Sequence, residues 1–261
     1  VAPPKKSDYV VAIPTYDRVN TLLQDSLPTL LRQGVSPKYI DIFVANNEQK
    51  KLYEESIPRS SYNKMIVGVK GLDKQLLFIK DYYPQGKDII IFHDDIASIF
   101  KKVSPQSVKE INLNKFFKYA FKTARKLKLT LWGVNRVSNP FFMTDGYTTD
   151  LRLIDGLFYG YINSNNPSYN LRVKNNYTAE DIERAIRHYI TDGGILRFND
   201  YGYKTKWVAE GGISSDLGGN EKRFKMVKEA SNQLKKLYPE YGEIIPHKDQ
   251  GVIFRLYKKP N

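Results

Sequence analysis

Asp88-Ile89-Ile90-Ile91-Phe92-His93-Asp94-Asp95 decides the fold. Four consecutive apolar residues predict a strand buried on both faces, because a strand with one wet face would alternate apolar and polar side chains. Three polar residues with chemical capacity follow at once. The same grammar repeats toward the N-terminus. Tyr9-Val10-Val11-Ala12-Ile13 reads as a strand closed by Pro14, Ile40–Ala45 as a second and Lys64–Val69 as a third. Helices are predicted between them. Thr21–Gln33 sets Leu22, Leu23, Leu27, Leu30 and Leu31 on one face and stops at Gly34, and Leu72–Tyr82 forms another. Strands that alternate with helices imply an α/β chain with a mostly parallel sheet covered on both sides, whose ligands bind at the carboxyl ends of the strands. Those ends carry Pro14-Thr15-Tyr16-Asp17-Arg18, the polar turn Asn46-Asn47-Glu48, and His93-Asp94-Asp95.

The second half is less regular. Val108–Lys128 reads as a long basic helix with Phe116, Phe117, Ala120, Phe121 and Ala124 as its buried stripe. Leu131–Val134 reads as a strand, and Leu151–Asn163 as a strand-like stretch punctuated by Gly156 and Gly160. Thr178-Ala179-Glu180-Asp181 opens a helix to Thr191 in the manner of a capping box. Leu196–Val208 suggests a short strand or hairpin, Gly211–Gly219 a loop, Glu221–Tyr238 a second basic helix and Gly251–Leu256 a closing strand. No linker separates the halves, so residues 1–261 are expected to form a single domain. Residues 8–100 would make one half and 101–261 the other.

Composition narrows the function classes. Hydrophobic residues at 41% and aromatics at 13% rule out a disordered chain. The absence of cysteine removes disulfide scaffolds, thiolate zinc sites and thiol catalysis. No apolar run reaches the ~18–20 residues of a membrane span, and Val1–Lys6 leads into no apolar signal core, so the expectation is a soluble, intracellular protein. Lys and Arg number 41 against 28 Asp and Glu, a net charge of +13 that favours a polyanionic partner. The charge is arranged in rows. Lys115, Lys118, Lys122 and Arg125 lie on the first basic helix, and Lys222, Arg223, Lys225 and Lys228 on the second. Such rows either hold phosphates without reading sequence or serve as solvated faces. The aromatic stretch Phe141-Phe142-Met143 with Tyr147 either stacks on a base or packs an acceptor loop.

His93 and Asp95, two residues apart at a strand end, point the same way and offer an imidazole and a carboxylate to Mg²⁺ or Mn²⁺. The competing reading has Asp94-Asp95 cap a helix beginning at Ile96.

Several motifs in order resemble the GT-A glycosyltransferases: the apolar strand leading into Pro14-Thr15-Tyr16, and the strand leading into His93-Asp94-Asp95 in the place of the DxD metal motif. The resemblance implies a GT-A, Rossmann-like fold with a nucleotide-sugar half and an acceptor half. It implies donor contacts from Pro14, Thr15, Tyr16, Arg18, Asn46, Asn47, Glu48, Lys74, Gln75 and Asp94, and metal ligation by Asp95, His93 and a late His247. Glu180 and Asp181 match the acidic pair beside the acceptor, with Asp181 accepting the hydroxyl proton. Gly156, in the Asp155–Gly160 segment, falls in the acceptor region. His93 departs from the aspartate usual at the first motif position, which leaves Asp95 as the firmest ligand. More narrowly, Lys64–Leu72, Tyr177–Asp181 and Gly211-Gly212-Ile213 are similar to the TET/JBP-associated glycosyltransferases of phage and virus DNA modification. That likeness implies transfer of a hexose, glucose from a UDP-sugar, onto a hydroxymethylated pyrimidine in DNA, in a host cytoplasm. A glycan, lipid or protein hydroxyl is the alternative acceptor, and a catalytically degenerate nucleic-acid-binding module the alternative to an enzyme.

Overall fold

The computed structural model describes residues 8–173, 179–205 and 220–257. Tyr177, Thr178 and the Gly211–Gly219 stretch lie outside them. The first half builds as its sequence pattern dictates. β1 (Val10–Pro14), β2 (Ile40–Val44) and β4 (Asp88–Phe92) are buried at every residue, and β3 (Lys64–Val67) closes that edge of the sheet. All four run parallel in the order β3-β2-β1-β4. Between β1 and β2 the expected single helix is two, α1 (Val19–Gln24) and α2 (Ser26–Arg32), broken at Asp25. Residues Asn46-Asn47-Glu48 begin a helix, α3 (Asn47–Ser56), instead of a polar turn. The Asn46 side chain accepts the Gln49 N–H at 2.8 Å as its N-cap. The next helix, α4, spans Leu72–Tyr82, the range its apolar spacing predicts.

The acidic pair after β4 does not cap a helix. Ile96 opens a strand, β5 (Ile96–Ser104), which turns into β6 (Ser107–Glu110). Ser26 of α2 pins the turn. Its hydroxyl donates to His93 O at 2.6 Å and accepts the Ile96 N–H at 2.8 Å. The basic helix is therefore shorter than its composition suggests, α5 (Leu113–Lys126), capped by Asn112. Then follow β7 (Leu131–Asn135), β8 (Tyr147–Thr148), β9 (Phe158–Ile162), α6 (Glu180–Asp192) and β10 (Leu196–Thr205). The chain ends with α7 (Asn220–Leu237) and a hairpin of β11 (Gly242–His247) and β12 (Gly251–Leu256).

The large sheet continues from β4 through β9, β7, β10 and β5 to β6, with β8 beside β10. Seven of its ten strands run one way, while β5, β8 and β9 run the other. The boundary expected near residue 100 falls inside β5, and one sheet serves both halves. Leu22, Leu30, Tyr53, Phe117 and Phe121 cover one face. Ile79, Ile186, Ala230, Leu234 and Phe254 cover the other. Gly160 lets Trp132 lie flat across β9, where a Cβ would meet the indole at 2.3 Å. No helix among the described residues is long and apolar enough to cross a membrane.

Candidate active site

The carboxyl ends of β1 and β4 meet in a cleft of about 790 Å³, roofed by α7 and the β11–β12 hairpin. At the β1–β4 end of the cleft, β1 ends in a tight hydrogen-bonded knot. Thr15 Oγ1 donates to Asp94 Oδ2 at 2.7 Å and lies 2.7 Å from the Tyr53 hydroxyl, which accepts the Arg18 N–H at 2.9 Å. Arg18 Nη1 reaches Asp94 Oδ1 at 3.2 Å and Asp95 Oδ2 at 3.5 Å. Both oxygens of Asp94 are thus engaged, and burial pushes its carboxyl up to about 6 against the pull of Thr15 and Arg18. Asp95 keeps Oδ1 buried without a hydrogen-bond partner, and so does His93 its Nε2. Burial holds the His93 imidazole below its usual range, in the neutral form.

Across the cleft, α6 begins with Glu180 and Asp181, which face Asp155. Asp155 accepts the Leu157 N–H at 2.9 Å and pairs with Arg136 at 3.1 Å. Glu180 pairs with Arg184 at 3.5 Å, and that guanidinium lies 3.7 Å over the Tyr159 ring. Among the described residues Asp181 accepts the neighbouring Ile182 N–H, at 2.8 Å, and no other hydrogen bond. Burial pushes its carboxyl up to about 8, with Glu180 and Asp155 adding to the rise. Burial raises Glu180 as well, although Arg184 opposes it. Gly156 allows the two walls to approach, since a Cβ there would sit 2.7 Å from Glu180 Oε1. Glu183, one turn on, faces away from this group. It accepts the Arg172 N–H and the Tyr238 hydroxyl, anchoring the end of α7.

Three solved structures share this architecture. TarS of S. aureus, residues 1–349, is 12% identical with a TM-score of 0.52, over 85% of this chain and 65% of that one. The mannosyltransferase PcManGT of Pyrobaculum calidifontis, solved with GDP-Man and Mn²⁺, is 10% identical with a TM-score of 0.56, over 90% of this chain and 68% of that one. A mycobacterial protein is 9% identical with a TM-score of 0.51, over 98% of this chain and 84% of that one. The chain has the GT-A glycosyltransferase fold. It spans just under two thirds of the TarS fragment. In sequence it matches no protein-family model and no curated protein.

Within this GT-A fold the expected site residues separate into those the cleft gathers and those it leaves outside. Pro14, Thr15, Tyr16, Arg18, Gln75, His93, Asp94 and Asp95 line it, as do Gly156, Glu180, Asp181 and His247. Gln75 braces the β3–α4 loop, accepting the Val69 N–H at 2.8 Å and donating to Val44 O at 3.3 Å. Asn46, Asn47, Glu48 and Lys74 are exposed and do not line the cleft; the side-chain oxygen of Asn46 is spent on its helix cap. Lys115, Lys118 and Lys122 stand exposed on α5, away from the cleft lining. Arg125 turns to Asp88 at the opposite end of β4, at 2.9 Å. The pattern of residues missed Asp155, Arg136, Arg152, Arg184 and Arg197. An arginine between Leu196 and Phe198 in a strand pattern was the available signal, and an Asp directly before a glycine was another.

A divalent ion fits the β1–β4 end of the cleft on the chemistry of the groups there. Asp95 Oδ1 and His93 Nε2 are orphaned acceptors beside the cleft, and Mg²⁺ or Mn²⁺ completes such a pair with water and phosphate oxygens. Among the described residues no three His, Asp or Glu side chains are grouped to hold an ion. His247, though in the cleft, accepts the Asp249 N–H on Nδ1 at 3.2 Å.

Proposed function

We propose that the protein is a metal-dependent glycosyltransferase that moves a hexose, glucose from a UDP-sugar, onto a hydroxymethylated pyrimidine in DNA. One observation carries the transferase reading: orphaned Asp95 and His93 acceptors face a carboxylate raised to about 8 across one cleft of this fold. Asp95 and His93 would hold the ion, which supplies positive charge against the leaving diphosphate. Arg18 steadies the loop through Asp94 and Asp95. Asp181 takes the acceptor hydroxyl proton as the oxygen attacks the anomeric carbon, and Glu180, held by Arg184, keeps a second carboxyl beside it. A direct displacement of this kind inverts the anomeric centre.

The net charge of +13, the exposed Lys115–Lys118–Lys122 stripe, and Phe141 and Phe142 at 80% and 64% exposure support a DNA acceptor. Exposed aromatic rings near a basic surface stack on unpaired bases. The test is transfer of labelled glucose from UDP-glucose to DNA carrying 5-hydroxymethylcytosine, with Mn²⁺ or with chelator. Metal-dependent label in the DNA supports the reading. Label in none of the hydroxymethylated substrates, with metal-dependent nucleotide binding intact, removes DNA as the acceptor and keeps the transferase.

A further inference from the structure

Arg197 is the anomaly of the cleft. It sits on β10 in register with Gly133 of β7 and Thr148 of β8. Its strand neighbours Leu196 and Phe198 belong to the opposite core face, so its side chain turns toward α7 and lines the cleft. Its Nε is buried without a hydrogen-bond partner, and it takes part in no ion pair among the described residues. The carboxylate that acts on it is Asp150, which the Arg152 Nε already holds, while Asp94 is engaged by Arg18, Asp155 by Arg136 and Glu180 by Arg184. Arg152, half-buried in the same lining, gives Asp150 only its Nε, at 3.0 Å. Burial and then the Arg152 charge hold Arg197 below its usual range. One carboxylate, Asp150, thus stands against two guanidiniums, one of them with a buried orphan donor, which leaves a net positive charge for an anion to meet. Arginine forks match phosphate oxygens in pairs.

The donor diphosphate does not supply this anion. β10 stands three strand spacings from β4, about 14 Å, and the charges that act on Arg197 are Arg152 and Asp150, not the Asp94–Asp95 loop. Arg223 of α7, an exposed residue, also lines the cleft.

We propose that Arg197 and Arg152 form a phosphate subsite on the acceptor side of the cleft, which holds a phosphate group of the acceptor while its hydroxyl meets Asp181. This rests on the transferase reading and narrows its substrate class to phosphate-bearing acceptors, whether a nucleic-acid phosphodiester or a phosphomonoester.

The test is the melting temperature of the full chain saturated with UDP and Mg²⁺, titrated with inorganic phosphate or with a thymidine dinucleotide, against chloride at matched ionic strength. A saturable rise is expected with at least one of the two. A response to the dinucleotide alone assigns a phosphodiester, and a response to phosphate alone a phosphomonoester. Arg197→Gln and Arg152→Gln each weaken that response at least 10-fold and leave the rise with UDP unchanged. Arg197→Gln keeps the parent's melting temperature without phosphate, because Asp150 remains paired with Arg152, and Arg197→Lys is the substitute variant if it does not fold. No rise beyond chloride, or an equal rise in both variants, overturns the subsite. If UDP gives no shift while phosphate binds in an Arg197-dependent way, the donor site fails and the subsite stands.

Discussion

At the residue scale, two carboxylates with adjacent numbers have opposite fates. Asp94 spends both oxygens on Thr15 and Arg18, whereas Asp95 leaves one buried oxygen open to the cleft. Asp95→Ala should therefore abolish the metal-dependent part of the melting shift with UDP, and Asp94→Asn should lower the melting temperature itself. Equal loss of nucleotide binding in both variants would count against this division. Asp181 gives a second residue-scale expectation. With its carboxyl near 8, the proton-accepting form grows as pH rises, so kcat/KM should climb up to about pH 8 and then level. Asp181→Asn should cut turnover by about 10²–10⁴-fold with UDP binding intact. The linkage to stability has the opposite slope. A folded-state pKa above the unfolded 3.8 means that the native protein binds the extra proton, so this contribution is complete below about pH 4 and lost as pH rises toward 8. Melting temperatures measured from pH 5 to 8.5 should fall less steeply in Asp181→Asn than in the parent; a steeper fall would refute the assignment.

At the element scale, α3 and α6 show how helix starts are used differently. Asn46 closes the first turn of α3, so Asn46→Ala should cost about 1 kcal/mol of stability and leave the KM for the nucleotide sugar unchanged. A raised KM without loss of melting temperature would instead make Asn46 a nucleoside contact. The start of α6 has no side-chain cap from Ala179, and its first turn carries Glu180, Asp181 and Glu183. Gly156 is what lets β9's approach segment lie against them. Gly156→Ala puts a methyl against Glu180, and crowding of this kind costs about 1–3 kcal/mol. Turnover should drop, with nucleotide binding retained, as measured by transfer rate against the melting shift with UDP.

At the scale of the whole molecule, one sheet joins both halves and brings the end of β4 to face the start of α6, some 85 residues later. The basic face of α5 lies outside the cleft, so on the proposed DNA acceptor its pull would be long-ranged and screened by salt. Replacing Lys115, Lys118 and Lys122 together with Glu should flatten the salt dependence of duplex DNA binding, read as the slope of log affinity on log salt. Turnover on a short single-stranded acceptor should hardly change. An unaltered slope would take α5 out of the DNA surface.

The sequence by itself determined the strands β1, β2 and β4, the helix α4, the strand β12 and the polar clusters at the strand ends. Burial on both faces and helical spacing are written into consecutive residues and need no distant partner. It determined Glu180 and Asp181 as a charged helix start, and His93 and Asp95 as co-facing. It did not show that residues 96–110 are strands, because KKVSPQSVKE is polar at an edge of the sheet and draws its order from the β5–β6 hairpin, which β10 holds through residues 96–101. It hid the two final-strand partners β11 and β12 as a pair, and it did not show that the Asn46 side chain caps α3. Only the tertiary structure decided which acids keep a free oxygen, that Asp155 joins Asp181, and that Arg197 faces the cleft with its Nε unpartnered and one carboxylate, Asp150, shared with Arg152. Pairing across the sheet sets these, and burial then turns ordinary carboxylates and guanidiniums into groups whose charge has to be answered by something bound.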